Sequence, residues 1–201
     1  MKDLHALFRH SLAGLRLLAL ATLLLGVVYP LVVTGIAQVA LPWRADGSLL
    51  TATGAHTTDA GDAVGSALLG QSVDDAGLFQ PRPSAAGYDP LASGGSNLGP
   101  ESPDLIASIE QRKAEVAARE GVSPTAVPPD AVTASASGLD PHISVAYADL
   151  QVARVAAATG LTEAVVRALV DDHTAGRALG VLGEPRVNVL ELNLAVRATA
   201  G

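Results

Sequence analysis

The chain has 201 residues, of which 49% are hydrophobic and 16% are charged, and its formal net charge is −7. This acidic balance disfavours binding to nucleic acid and to anionic lipid surfaces, because both carry negative charge. The sequence contains no cysteine, which excludes disulfides, thiolate catalysis and cysteine-ligated metal sites. Its five histidines show no HxxxH or HxH spacing, so we expect no metal site.

An uncharged apolar run extends from residue 17 to residue 41, between Arg16 and Arg44. At about 1.5 Å per residue, a helix over this run is long enough to cross a hydrocarbon core of about 30 Å. The apolar core of a cleaved signal peptide is only about 7–15 residues long, so the run favours a retained anchor over the alternative of a signal peptide. Because Lys2, Arg9 and Arg16 precede it, we expect the N-terminus in the cytoplasm and the rest of the chain outside.

One face of this predicted transmembrane helix is expected to pack against a partner helix. Small, polar or proline residues recur there at every fourth position, at Thr22, Gly26, Pro30, Thr34 and Gln38. Pro30 removes the hydrogen bond to the carbonyl of residue 26, which predicts a kink. Small and hydroxylated faces are where membrane helices associate, although such residues also occur singly in spans that have no partner.

The sequence divides into four segments: a cytoplasmic N-terminus (1–16), a transmembrane helix (17–41), a connector (42–63) and an exoplasmic domain (64–201). Residues 45–62 are rich in glycine, threonine and aspartate, which predicts a mobile segment with little strand character. A short strand is expected within residues 64–73. Residues 79–100 are dense in proline, glycine and serine, yet we expect an ordered, irregular loop built from tight turns.

Three helices are predicted in the domain, over residues 102–120, 144–159 and from 162 to about 173. Capping residues mark their ends, with serine or threonine at each start and glycine after the first two. The segment 188–198 is ambiguous, because its leucines alternate as in a strand while Asn188 is a good helix N-cap. The predicted fold class is therefore α+β: one N-terminal transmembrane helix followed by one loop-rich exoplasmic α+β domain.

No pattern in the chain indicates catalysis. There is no GxxxxGK[ST] phosphate-binding loop, no DKTG phosphorylation motif and no GxSxG nucleophile elbow. Ser137, Asp140 and His142 have the chemistry of a catalytic triad, but neighbouring sequence positions seldom converge in that geometry. We favour a structural turn at Asp140–Pro141, with His142 bonded to backbone carbonyls, over a partner or ligand contact and over catalysis.

Five short blocks follow the apolar run in a fixed order: GSALLGQ (65–71), RPSA (82–85), GGSNLGP (94–100), SASGLDPHIS (135–144) and GEPRVNVLELNLA (183–195). Together they resemble the C subunit of Kdp-type potassium-transporting P-type ATPases (the KdpC family). The resemblance implies an accessory, non-catalytic subunit of an ATP-driven potassium uptake complex in the inner membrane. In that family the subunit is needed for assembly and stability, and its domain lies over the outer mouth of the pore.

The resemblance also implies two protein partners, a pore-forming potassium-binding subunit and a P-type ATPase catalytic subunit. We expect no cofactor in this chain, with ATP and potassium handled by those subunits. The family is credited with a part in ATP binding, which the predicted topology disfavours because cytosolic nucleotide is scarce outside. An alternative function is a membrane-tethered exoplasmic binding or sensor domain that acts without the pump, and a third is a tethered hydrolase that depends on Ser137.

Candidate contacts with a partner or ligand come from the irregular segments and the blocks above. For Arg82 and Arg186, a buried salt bridge and a charged contact with a neighbouring subunit are both open interpretations. The candidates are Arg82, Asn97, Ser137, Asp140, His142 and Arg186.

Overall fold

The computed structural model describes residues 2–201, with the backbone alone for residues 2–5. The side chain of Lys2, whose charge contributed to the predicted orientation, lies outside the described part. The chain divides into two compact units, Met1–Gly47 and Ser48–Gly201.

The first unit is a long helix with one local widening. Helix α1 (Lys2–Leu23) continues through a π-helical turn (Leu24–Val28) into α2 (Tyr29–Ala40), and a short helix α3 (Pro42–Ala45) follows. The 35-residue stretch Ala6–Ala40 is long and apolar enough to cross a membrane. The predicted N-terminal apolar helix is confirmed, and it begins well before residue 17.

The π-helical turn is the structural response to Pro30. In this turn the backbone N–H of Tyr29 bonds to the carbonyl of Leu24, five residues back. Pro30 follows directly in the first turn of α2, and because the helix is continuous its missing N–H leaves one carbonyl of the preceding turn without a helical bond. A local π adjustment of this kind is a known way for an apolar helix to accommodate proline.

The second unit opens with a three-stranded antiparallel sheet in the order β2-β1-β3, formed by β1 (Leu49–Thr51), β2 (His56–Thr57) and β3 (Ala63–Ser66). The expectation that residues 45–62 have little strand character is therefore wrong. Buried Leu50 anchors the central strand, and the glycine, threonine and aspartate residues form the turns between strands of two to four residues. The short strand expected within residues 64–73 is confirmed as β3, although it begins one residue earlier, at Ala63, and ends at Ser66.

Four longer helices follow: α4 (Pro103–Glu120), α5 (Val145–Thr159), α6 (Glu163–Asp172) and α7 (Val189–Ala200). Ser144, Thr162 and Asn188 accept capping hydrogen bonds at the starts of α5, α6 and α7. Ser102 occupies the N-cap position of α4 without a side-chain bond. The ambiguous C-terminal segment is thus a helix, which begins directly after a strand.

A second three-stranded antiparallel sheet, in the order β4-β6-β5, lies among these helices. Its strands are β4 (His142–Ser144), β5 (Thr174–Ala175) and β6 (Arg186–Asn188). His142 pairs with Asn188 and Ile143 with Val187. The core of the unit joins this sheet to α4–α7 and to the irregular segment after β3, and its most deeply buried side chains include Phe79, Ile143, Tyr147, Val155, Val166, Val170, Val187, Leu192 and Val196.

Candidate functional site

The segment 135–144, which carries the block SASGLDPHIS, lies at the centre of the irregular part of the domain, and we call it the central loop. The block GSALLGQ reaches it through the N–H of Gly70, which donates to the carbonyl of Leu139 at 2.7 Å. The block GGSNLGP reaches it through the N–H of Gly94, which donates to the carbonyl of Ser137 at 2.8 Å.

The two remaining blocks also bond to the central loop. The hydroxyl of Ser84, in RPSA, donates to the carbonyl of Gly138 at 2.6 Å. The N–H of Val189, in the C-terminal block, donates to the carbonyl of Pro141 at 2.9 Å, next to the pairing of β4 with β6. All five blocks therefore form one hydrogen-bonded assembly around the central loop.

A polar cluster of Arg82, Asp140 and His142 lies at the end of the central loop. The guanidinium of Arg82 donates to Asp140 Oδ2 at 3.0 Å, while His142 Nδ1 lies 3.4 Å from Asp140 Oδ1. The backbone N–H of His142 also donates to Asp140 Oδ1 at 3.0 Å. Arg82 joins the loop to the segment after β3, and its Nε is buried without a hydrogen-bond partner among the described side chains.

Electrostatics hold the carboxyl group of Asp140 in its charged form. Partial burial raises the pKa of Asp140, but the hydrogen bonds from His142 and the positive charge of Arg82 lower it by more. The net result is a pKa below the ordinary value of 3.8. At neutral pH the carboxylate of Asp140 therefore forms an ion pair with Arg82 that fixes the loop. A carboxylate that is already bonded to two partners is poorly placed to act as a catalytic base.

Two buried amides hold the segment between β3 and the proline-rich loop. Asn193 on α7 accepts from the N–H of Phe79 at 2.8 Å and donates to the Phe79 carbonyl at 2.9 Å. Gln151 on α5 does the same for Gln80, at 2.7 and 3.2 Å. Sequence reasoning missed both, although an amide within the apolar stripe of each helix was a detectable signal.

A buried carboxylate joins α4 to α5. The side chain of Glu120 is 0% exposed and lies 2.7 Å from Arg119 and 2.9 Å from Arg154. Arg154 also donates to the carbonyl of Leu78 at 3.0 Å. Glu120 and its two arginines therefore pair with one another inside the domain. Through Arg154 they also hold the segment at Leu78, next to the residues that the two amides bind.

A cleft of about 460 Å³ lies between that segment, β3 and α7. Its charged lining residues are Asp74, Asp75 and Arg197, and Arg197 Nη2 is 3.9 Å from Asp75 Oδ2. Two carboxylates facing one paired arginine repel a phosphate group, so this lining disfavours a nucleotide.

The stripe of the apolar helix is exposed along its whole length within the first unit, at Thr22, Gly26, Pro30, Thr34 and Gln38. A repeat of four residues drifts around an α-helix of 3.6 residues per turn, and the wider π-helical turn reduces that drift. Gln38 is engaged locally, because its amide donates to Asp46 Oδ1 at 2.9 Å.

Comparison with known proteins decides which family these features belong to. The sequence model of the family described as K⁺-transporting ATPase, c chain (KdpC) matches residues 11–198. A protein named potassium-transporting ATPase KdpC subunit from Kineococcus radiotolerans is 57% identical over 96% of both chains. Proteins of the same name from Nitratidesulfovibrio vulgaris and Geobacter metallireducens are 51% and 50% identical, over 92% and 87% of this chain and 91% and 90% of their own.

The chain belongs to the KdpC family. It is therefore a membrane protein of a potassium-transporting ATPase complex and is distinct from the catalytic subunit of that complex. The resemblance noted in the five blocks is confirmed.

In this KdpC chain the candidate residues do not form one site. Arg82, Asp140 and His142 come together, whereas Asn97 and Arg186 are exposed, and among the described residues no side-chain hydrogen bond or ion pair joins either to that cluster. Ser137 is exposed, and its hydroxyl accepts from the N–H of Leu139 at 3.1 Å. The expectation that backbone carbonyls bond to the ring of His142 is wrong. Its Nδ1 instead faces the carboxylate of Asp140, 3.4 Å from Oδ1. A role for any of the six in binding a partner stays a prediction.

Proposed function

We propose that this chain is the accessory, non-catalytic subunit that assembles and stabilises an ATP-driven, high-affinity potassium uptake complex. The observation that carries the proposal is the stripe on the apolar helix, which combines small residues, hydroxyls and a proline-linked π-helical turn. In lipid such a face is stabilised when a neighbouring helix packs closely on it.

In this proposal ATP and potassium are handled by two partner subunits. A pore-forming subunit binds the ion, since one helix cannot enclose a ring of carbonyl ligands. A P-type ATPase subunit supplies the energy, since this sequence has neither a phosphate-binding loop nor a phosphorylation motif.

The predicted orientation leaves the N-terminus in the cytoplasm and the α+β domain outside the inner membrane. From residue 44 onward the chain has 19 acidic and 10 basic residues, a net charge of about −9. An acidic domain over the outer mouth of the pore would favour cations near the entrance, within a screening length of about 8 Å at physiological salt.

The test is a mild-detergent pull-down of the tagged full-length chain from potassium-starved membranes, with mass spectrometry of the recovered proteins and an assay of potassium-stimulated ATPase activity. We expect a P-type ATPase and a channel-like subunit in stoichiometric amounts. Recovery of a folded chain without either protein would contradict the proposal and favour a tethered sensor domain.

A further inference from the structure

A β-hairpin arm extends from the second sheet without packing on its own domain. The arm comprises residues 176–185, which join β5 to β6, and every one of them is exposed. A Cβ built on Gly176, Gly180 or Gly183 would meet no described atom within 4 Å, apart from its chain neighbours. The arm therefore contributes little to the core that holds the domain together.

The tip of the arm displays three aliphatic side chains. Leu179, Val181 and Leu182 are 91%, 73% and 59% exposed. The tip is nevertheless ordered, because Ala178 and Leu182 exchange both backbone hydrogen bonds at 2.9 Å. Such a pre-ordered apolar tip loses little conformational entropy when it is buried.

The turn at the tip uses an unfavourable residue. Leu179 and Gly180 both have positive φ, at 52° and 77°, and the N–H of Val181 bonds to the carbonyl of Ala178, as in a type I′ turn. Asparagine and glycine suit the first of these positions, whereas leucine is strained there. Leu179 is thus a poor choice both for the turn and for a surface facing water, which indicates that another surface covers it.

We infer that the arm inserts its tip into an apolar recess on another subunit of the same complex, an inference that rests on the proposed function. A lipid surface is a poorer occupant, because the tip has no aromatic residue and the charges of Arg177 and Glu184 neutralise each other at 2.7 Å. A second copy of this chain is also a poorer occupant, because two domains of about −9 charge repel each other.

The substitution Leu179→Asn separates docking from folding, since asparagine suits the turn but cannot fill an apolar recess. We expect the full-length variant to keep or raise its melting temperature. In a pull-down from cells that express the whole complex, the recovery of partner subunits should fall about 10-fold to 100-fold, the effect of losing one buried leucine. The matched control is Leu91→Asn, which changes a leucine that is 95% exposed on another loop and should leave recovery unchanged.

A photo-crosslinking amino acid in place of Val181 identifies the occupant directly. A covalent adduct with another subunit of the complex supports the inference. An adduct with lipid or with a second copy of the chain overturns it, as does normal partner recovery by the Leu179→Asn variant. If the unmodified chain recovers no partner subunits, the proposed function fails as well, so the two failures can be told apart.

Discussion

At the scale of single residues, side-chain amides replace a neighbouring strand for the irregular segment at Phe79 and Gln80. In Asn193→Leu, a side chain of similar size replaces the amide. The N–H and the carbonyl of buried Phe79 then have no hydrogen-bond partner at residue 193. Each buried polar group left unpaired costs about 1–3 kcal/mol, so with two such groups we expect the free energy of unfolding to fall by about 2–6 kcal/mol. Urea unfolding of the full-length chain in detergent measures this.

Gln111→Leu is the control for that experiment, because Gln111 is exposed on α4 and its amide bonds only to Glu115. The same exchange of amide for leucine there should change stability by less than about 0.5 kcal/mol. Equal effects at the two positions would show that Asn193 does not act through its hydrogen bonds to Phe79.

The Asp140 carboxylate makes the stability of the domain depend on pH. Its folded-state pKa lies below the unfolded value of 3.8, so the unfolded chain binds the proton more readily. The stabilisation is therefore present above pH 3.8 and is lost as the pH falls through the folded-state pKa. We expect Asp140→Asn to lower the free energy of unfolding at pH 7. The difference in this free energy between the variant and the unmodified chain should shrink as the pH is lowered below about 4.

Unfolding by urea at a series of pH values tests this, with Asp171→Asn on the exposed face of α6 as the control. The control should change stability at pH 7 by less than Asp140→Asn does, because Asp171 is exposed. A difference between Asp140→Asn and the unmodified chain that stays constant with pH would mean that the carboxylate contributes through packing alone.

At the scale of elements, the central loop requires a close approach of backbone from the segment after β3. A Cβ on Gly70 would lie 2.6 Å from the carbonyl oxygen of Asp140 and 3.1 Å from the carbonyl carbon of Leu139. Because both neighbours are backbone atoms, Gly70→Ala must displace one of the segments, at a cost of about 1–3 kcal/mol. Thermal unfolding should show this loss, and Gly99→Ala, where nothing lies within 4 Å, should show none of comparable size.

The helices were predictable from the sequence because their signals are local. Ser144 and Thr162 cap helices that begin at the next residue, and Gly121 and Gly160 end helices with positive φ. The strands β1, β2, β4, β5 and β6 were missed, since segments of two or three residues are specified by their partners rather than by a repeating pattern.

The polar contacts of the domain were only partly predictable for the same reason. Arg82 was a candidate for a salt bridge or a subunit contact, but its partner Asp140 lies 58 residues away. The bond from Asn193 to Phe79 spans 114 residues, and no spacing rule connects such positions. The sequence therefore identified some of the residues that form polar contacts, such as Arg82 and Asp140, whereas the fold shows which residues bond to each other.

At the scale of the whole molecule, the chain joins an anchor that carries a stripe of small and polar residues to a domain with its own core. If the anchor only tethers the domain, any apolar helix of 25 residues should replace residues 17–41. If the anchor also assembles the complex, its stripe is required. We expect a leucine–alanine helix in place of residues 17–41 to leave the domain folded and membrane-bound but to reduce recovery of partner subunits at least tenfold.

A second artificial span provides the matched control, since the stripe can be restored on the same leucine–alanine background. This variant carries Thr22, Gly26, Pro30, Thr34 and Gln38 at their own positions, and it should recover the partner subunits to near the level of the unmodified chain. Pull-down yield and potassium-stimulated ATPase activity are measured for both spans. Full recovery with the plain span would assign assembly to the domain alone, because the anchor would then act only by length and hydrophobicity.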